Sequence, residues 1–236
     1  MMTLKMARYK KSFIIVVCAF VLIIGGSGYF NGFRLKKSLQ HIVNPYLTSS
    51  LNIGSAYINA FTGNGYLKNV RIPNPPGFMG ANALLIERID IKGGPRSLRG
   101  EVITLDEIHF QNIELAVLQT NQGSNFVKLW NQSGRHSDYG LKEIHLQTFR
   151  LDPVKVFLGP KIMNQNPFQF TLQAIEAKES DLKDRRMRSL GQYIALQALD
   201  QIEALHQAGH IPTGQQMGPW VQEGIQKARM HLKKYQ

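Results

Sequence analysis

One cysteine, Cys18, is present in 236 residues, and it lies inside an apolar run near the N-terminus. No intramolecular disulfide, cysteine zinc cluster or thiol relay can be built, so the fold must rest on packing. Acidic residues are also few. Sixteen Asp and Glu stand against 28 Lys and Arg, a net charge of +12, which calls for an anionic neighbour such as a membrane surface, a polyanion or an acidic partner. There is a single long hydrophobic run, so a multi-span transporter is excluded.

Signatures of catalysis are missing too. The chain has no G-x-S-x-G elbow, no G-x-x-x-x-G-K-[ST] phosphate loop and no H-E-x-x-H pair. His206 and His210 have the i, i+4 spacing of a helical metal pair, but Gly209 and Pro212 end the helix there and no carboxylate ligand stands out beside them. His109 and His145 suit a partly exposed strand face. The adjacent Asp106 and Glu107, read in a strand, point to opposite faces and cannot share one proton. No catalytic residue, metal or cofactor is assigned, and the chain reads as a non-enzyme. Basic residues are scattered without an aromatic-interleaved stripe, which argues against a nucleic-acid partner.

What is present begins with the membrane signal. From Phe13 to Ile24 every residue is apolar, and Gly25 to Phe30 extend the uncharged stretch to the ~20 residues of a single crossing. Lys5, Arg8, Lys10 and Lys11 precede it, so the positive-inside bias favours a cytoplasmic N-terminus. The competing reading is a cleaved signal peptide, with Gly26 and Gly28 small enough for a peptidase site. Both readings send the main domain out of the cytoplasm, and a body without cysteine suits an oxidising periplasm.

After the run, Leu35, Leu39, Ile42, Val43 and Leu47 recur at near-helical spacing up to a break at Pro45. From Asn52 to about Ser180 short alternating segments punctuated by Gly and Pro predict strands. Phe168, Phe170, Leu172 and Ala174 alternate with Gln169, Thr171 and Gln173, which predicts a strand of an antiparallel sheet with one dry face. The form L-x-x-[VI]-x-[ILF] occurs at Leu67, Leu105 and Leu141. Its step of three predicts a bulge or bend in each copy, and hence a curved sheet.

Beyond Asp181 two amphipathic stripes follow, Leu190, Ile194, Ala198, Ile202 and Leu205, then Val221, Ile225, Ala228 and Leu232. The whole reads as α+β: an N-terminal transmembrane helix, a curved, mainly antiparallel β-sheet module and two C-terminal amphipathic helices. The expected segments are a basic N-terminus (1–11), an anchor (12–30), a juxtamembrane helix (31–51), the β module (52–180) and a helical region (181–236).

The run Gly65-Tyr66-Leu67-Lys68-Asn69-Val70-Arg71-Ile72-Pro73-Asn74-Pro75-Pro76-Gly77-Phe78 resembles the strand near the start of AsmA-like bacterial proteins, G-x-L-x-x-[LIV]-x-[IV]-x-N-P-x-G-[FY]. Gly65, Leu67, Asn74, Pro75, Gly77 and Phe78 carry the likeness. Gly123 and Asn125, in Gly123-Ser124-Asn125-Phe126, are similar to a later turn of that family. The resemblance covers about residues 51–175. It implies a single-pass anchor in a bacterial inner membrane, a periplasmic β-rich body, and a role in lipid traffic or outer-membrane assembly.

The longer relatives resemble bridge-like lipid-transfer proteins. This chain is short, and at ~3.3 Å per residue one module cannot span a periplasm. Asn112 also stands where many relatives have a proline-containing turn.

On this reading a phospholipid or other membrane lipid is the expected partner, on an apolar sheet face whose candidates are Leu105, Ile108, Phe110, Phe168, Phe170 and Leu172. The alternative is an adaptor that binds an envelope protein while its own C-terminal helices cover that face. A face that packs a helix and a face that holds a lipid have the same pattern.

Overall fold

The computed structural model describes residues 32–59, 62–94, 102–120, 123–129, 143–159, 168–181 and 187–211. The apolar run 13–30, Leu141 and the second C-terminal stripe lie outside the described residues. Among the described residues no helix is long and apolar enough to cross a membrane.

The first helix, α1 (Gly32–Val43), buries Leu35, Leu39 and Val43, spaced four apart on one face. It stops where Pro45 disfavours helical geometry at Asn44, and the chain tightens into a 3₁₀ turn over Asn44–Tyr46. Two amide side chains from the end of this helical stretch then hold one residue. Gln40 Nε2 donates to Leu51 O at 2.9 Å, and Leu51 N donates to Asn44 Oδ1 at 2.7 Å. The chain reverses there, and β1 (Asn52–Ile58) runs back along α1. Gly32 therefore lies toward the Ile58 end of β1.

The strands β1, β2 (Gly65–Pro73), β3 (Asn82–Gly93) and β4 (Val102–Thr120) form an antiparallel meander. A short β5 (Gly123–Ser124) folds back on the end of β4 and leads into the one-turn α2 (Asn125–Leu129). Beside β4, and parallel to it, run β6 (Glu143–Leu151) and β7 (Val154–Gly159) as one line broken only at Asp152-Pro153. Outside them β8 (Phe168–Leu172) and β9 (Ile175–Lys178) form a second broken line, antiparallel to the first. The fold is α+β with a mainly antiparallel, mixed sheet.

A single seam crosses every line of this sheet. Ala56, Leu67, Ile89, Phe110, Leu151 and Ile175 are register partners in one row, and Ile53, Val70, Ile86, Ile113, Val154 and Leu172 in the next. In each line the two rows are three residues apart, yet both face the core. Ten of the twelve are buried, and Ala56 and Leu151 are half-buried. Alternation would send residues three apart to opposite faces, so each line must bend or break at the two residues between. Asn69 and Asn112 do so with φ of 53° and 50°, a left-handed conformation that asparagine tolerates far better than branched residues. Asp152-Pro153 and Gln173-Ala174 do so by interrupting the strand. Because all lines take the same step, the register survives while the sheet bends.

The seam changes several details expected from the sequence. The copy at Leu67 sits on it. The copy at Leu105 is a separate irregularity, where Gly93 pairs with Leu105 and Lys92 with Glu107, so that Asp106 is an extra residue. β4 bends at Asn112 and continues to Thr120. Ala174 is exposed, and Ile175 takes the inward position instead, because the step at Gln173-Ala174 reverses the alternation.

The last described helix, α3 (Met187–Gln207), packs on β8 and β9 and adds Leu190 and Ile194 to the core. Gly209, with φ of 74°, ends it. Gly209 N donates to His206 O and His210 N to Leu205 O, the paired bonds of a Schellman turn, and Ile211 just beyond is fully buried.

Candidate functional site

The apolar face collects all six residues expected to meet lipid, but not on equal terms. Leu105, Ile108 and Phe110 are 0–2% exposed in the middle of the core, and Phe110 packs on Phe149 with ring centroids 5.3 Å apart. Phe170 and Leu172 are buried on the flank. Phe168 is half-buried and stacks on Phe170 at 6.1 Å. α1 lies along the β1 flank and α3 along the β8–β9 flank, and both share one hydrophobic cluster with the sheet. Each large side chain removed from water in this way stabilises the fold by about 1.5–3 kcal/mol.

Asn74, Pro75, Gly77, Phe78, Gly123 and Asn125 of the family-like motifs lie at one corner, at the opposite end of the sheet from Gly32, whereas Gly65 pairs with Ile58 at the Gly32 end and Leu67 lies in the seam. Asn125 is fully buried. Its Nδ2 donates to Asn74 Oδ1 at 2.8 Å and to Ala116 O at 2.7 Å, while its Oδ1 accepts from Leu118 N and Phe126 N at 3.0 Å each. Asn74 Nδ2 in turn faces Met79 O, Gly80 O and Asn82 O at 3.0–3.2 Å, closing the loop that joins β2 to β3. In that loop Gly77 has φ of 89°, which suits glycine. Gly65 is needed for a different reason, since a Cβ there would lie 2.5 Å from Tyr57 O. Lys128 Nζ sits 5.4 Å from the centre of the Phe78 ring. Thr48 is bonded to the end of α2 through its N–H to Leu129 O and its hydroxyl to Lys128 O. The residues around Asn74 and Asn125 build one hydrogen-bonded corner.

The opposite face of the sheet is polar. Tyr57, Tyr66, Asp90, His109, Arg150 and Glu176 are register partners across it. Tyr57 and Tyr66 stack at 5.6 Å, and Lys68 and Arg88 lie over the Tyr66 ring. Arg88 Nε reaches both Asp90 oxygens at 2.8 Å, and Gln111 Nε2 donates to Asp90 Oδ2 at 2.7 Å.

His109 Nε2 meets Asp152 Oδ1 at 2.7 Å, and its Nδ1 faces Gln111 Nε2 at 3.3 Å. Both ring nitrogens are therefore engaged within the sheet. The hydrogen bonds from Arg88 hold the Asp90 carboxyl below its ordinary range against the opposing effect of burial, with the Arg88 charge and Gln111 adding to them. Glu107 pairs with Lys92 at 3.0 Å and lies 3.8 Å from Arg150.

The described residues carry twelve Lys and Arg and twelve Asp and Glu, so the excess of positive charge lies in the remaining segments, with sixteen basic residues against four acidic. The sheet is thus electrostatically balanced, and attraction to an anionic surface must come from those segments. No three His, Cys, Asp or Glu among the described residues could together hold a metal ion. Comparison with protein-family models, with curated proteins and with solved structures finds no match.

Proposed function

We propose that this chain is a non-enzymatic, single-pass module of the AsmA-like kind, anchored in a bacterial inner membrane with its body in the periplasm. It binds or guides phospholipid in support of outer-membrane assembly. The observation that carries this reading is the seam: a step of three repeated in six lines, which keeps one side of the sheet continuously apolar across its width. Moving an acyl chain from a bilayer to such a surface costs little, because both environments bury it equally. The helix α1 leads from Gly32 toward the motif corner over about 18 Å, so an anchor preceding it would put the corner on the side away from the membrane.

Leu105, Ile108 and Phe110 serve as core in this reading, and contact with lipid falls to the flank at Phe168, Phe170 and Leu172. Native mass spectrometry of the detergent-extracted protein tests it. Phospholipid should co-purify, and Phe168→Asp should lose it while circular dichroism stays unchanged; a lipid-free protein would sink the reading. A tag-accessibility assay in spheroplasts tests the placement, which fails if the C-terminus is cytosolic.

A second reading is a tethered adaptor for another envelope protein. It is favoured by the burial of the central rows in a core that α1 and α3 already share. In-cell crosslinking should then capture a protein partner, and lipid should be absent.

A further inference from the structure

α3 holds the sheet unevenly. Leu190 and Ile194 near its start are buried at 2% and 7%, and Ile211 beyond its end at 0%. Between them Ala198, Ile202 and Leu205 are only half-buried, although the apolar stripe continues without a gap. At this stretch Gln201 clasps one residue of the edge line: its Oε1 accepts from Gln173 N at 2.5 Å and its Nε2 donates to Gln173 O at 3.3 Å. The side-chain amide takes the place that the backbone of a next strand would take. Such exposed bonds contribute about 0.5–1.5 kcal/mol each.

One turn further on, His206 Nε2 is buried and has no hydrogen-bond partner among the described residues. A buried nitrogen left unpaired costs about 1–3 kcal/mol. An opening that lets water reach the ring relieves that cost, which biases the helix that carries His206 toward such openings.

β8 and β9, on which α3 packs, carry Phe168, Phe170, Leu172, Ile175 and Ala177 of the shared cluster. At ~3.3 Å per residue, β8 and β9 give a strip roughly 30 Å long. One bilayer leaflet is about 15 Å of hydrocarbon, half of a ~30 Å core, so an acyl chain fits within the strip. Its walls are the surface that α3 would vacate.

We propose that α3 is a cover that detaches from β8 and β9 as a unit while the rest of the sheet stays folded, and that a phospholipid acyl chain docks on the strip it exposes. The docking half rests on the lipid reading above; the cover does not.

Hydrogen exchange on the full chain in detergent reads the cover directly. Amides of 191–207 should exchange together, at least ~100-fold faster than those of β3, by local rather than global opening, and His206→Leu should slow them several-fold. Exchange of α3 in step with β3 would overturn the proposal.

Docking is read by locking the helix. In a Cys18→Ser background, Gln173→Cys and Gln201→Cys are bridged by a short bis-maleimide, and uptake of pyrene-labelled phosphatidylglycerol from vesicles is compared before and after. Uptake should fall about ten-fold on locking, in line with a gated site. Equal uptake by the locked protein overturns the cover's role and leaves lipid binding intact. Early opening of α3 with no uptake by either form overturns the docking strip, and the lipid reading with it.

Discussion

Asn125 Nδ2 donates to Asn74 Oδ1 at 2.8 Å, joining two residues 51 positions apart in a corner where Asn125 has no exposed surface. The bond links the loop between β2 and β3 to the turn that starts α2, and each asparagine also ties backbone groups of its own neighbourhood. Replacing Asn125 by Leu would leave Leu118 N, Ala116 O and Asn74 Oδ1 without this partner, each at about 1–3 kcal/mol. We expect Asn125→Leu to lose about 3–5 kcal/mol in urea titration of the full chain. Asn74→Ala should lose less, and the double variant should show a coupling of at least ~0.5 kcal/mol. Additive losses would mean that the two asparagines act separately.

Asn69 and Asn112 bend neighbouring lines of the seam from left-handed backbone conformations. A branched residue there pays about 1–2 kcal/mol of steric strain that glycine avoids. Asn69→Val should therefore lower the thermal midpoint by several degrees, and Asn69→Gly should leave it nearly unchanged. Equal losses for both would assign the effect to the asparagine side chain instead of the backbone.

The seam explains which parts of the fold the sequence discloses. Local patterns sufficed where periodicity is unbroken: the Leu35, Leu39 and Val43 face, the Leu190 and Ile194 stripe, and the alternation from Phe168 to Leu172. The step of three at Leu67 was visible as well. The matching steps at Phe110, Leu151 and Leu172 were hidden, because Asp152-Pro153 has the composition of a turn and Gln173-Ala174 continues in sequence an alternation that the structure reverses. A pairing row is a property of six lines together, so no window on one of them can show it. The motif residues could be picked out by resemblance, but the meeting of Asn74 and Asn125 depends on a hydrogen bond across 51 residues. The Gln201 clasp on Gln173 had no signal at all, since a glutamine on a helix surface is ordinary.

Asp90 offers a pH test of the polar face. Its carboxyl is held below the ordinary carboxylate range, first by hydrogen bonds from Arg88. A pKa lowered by folding stabilises the protein above the unfolded-state value, near 3.9 for an aspartate. The contribution is lost as pH falls through the folded value. Because the pair is partly exposed, the contribution at neutral pH is discounted to about 1 kcal/mol. Asp90→Asn should cost that much in urea titration at pH 7, and the gap to the parent should close as pH falls below the unfolded-state value and on through the lowered folded one. A gap that persists in acid would show that the carboxylate charge is not what stabilises this row.

Phe110 and Phe168 separate core from lipid contact more sharply than any other pair on the apolar face. Phe110 is 2% exposed and packs on Phe149, itself 1% exposed, at the middle of the seam. An aspartate there would be a buried charge, and among the described residues no buried basic side chain is present to compensate it. Phe110→Asp should therefore abolish cooperative unfolding or lose more than ~4 kcal/mol, whatever the function is. Phe168 lies half-buried at the start of β8, stacked on Phe170, where an introduced carboxylate can turn to solvent. Phe168→Asp should keep the fold, at a cost of about 1–2 kcal/mol, and should remove bound phospholipid. If the folded Phe168→Asp protein retained lipid at the parental level, the flank would not be the contact surface.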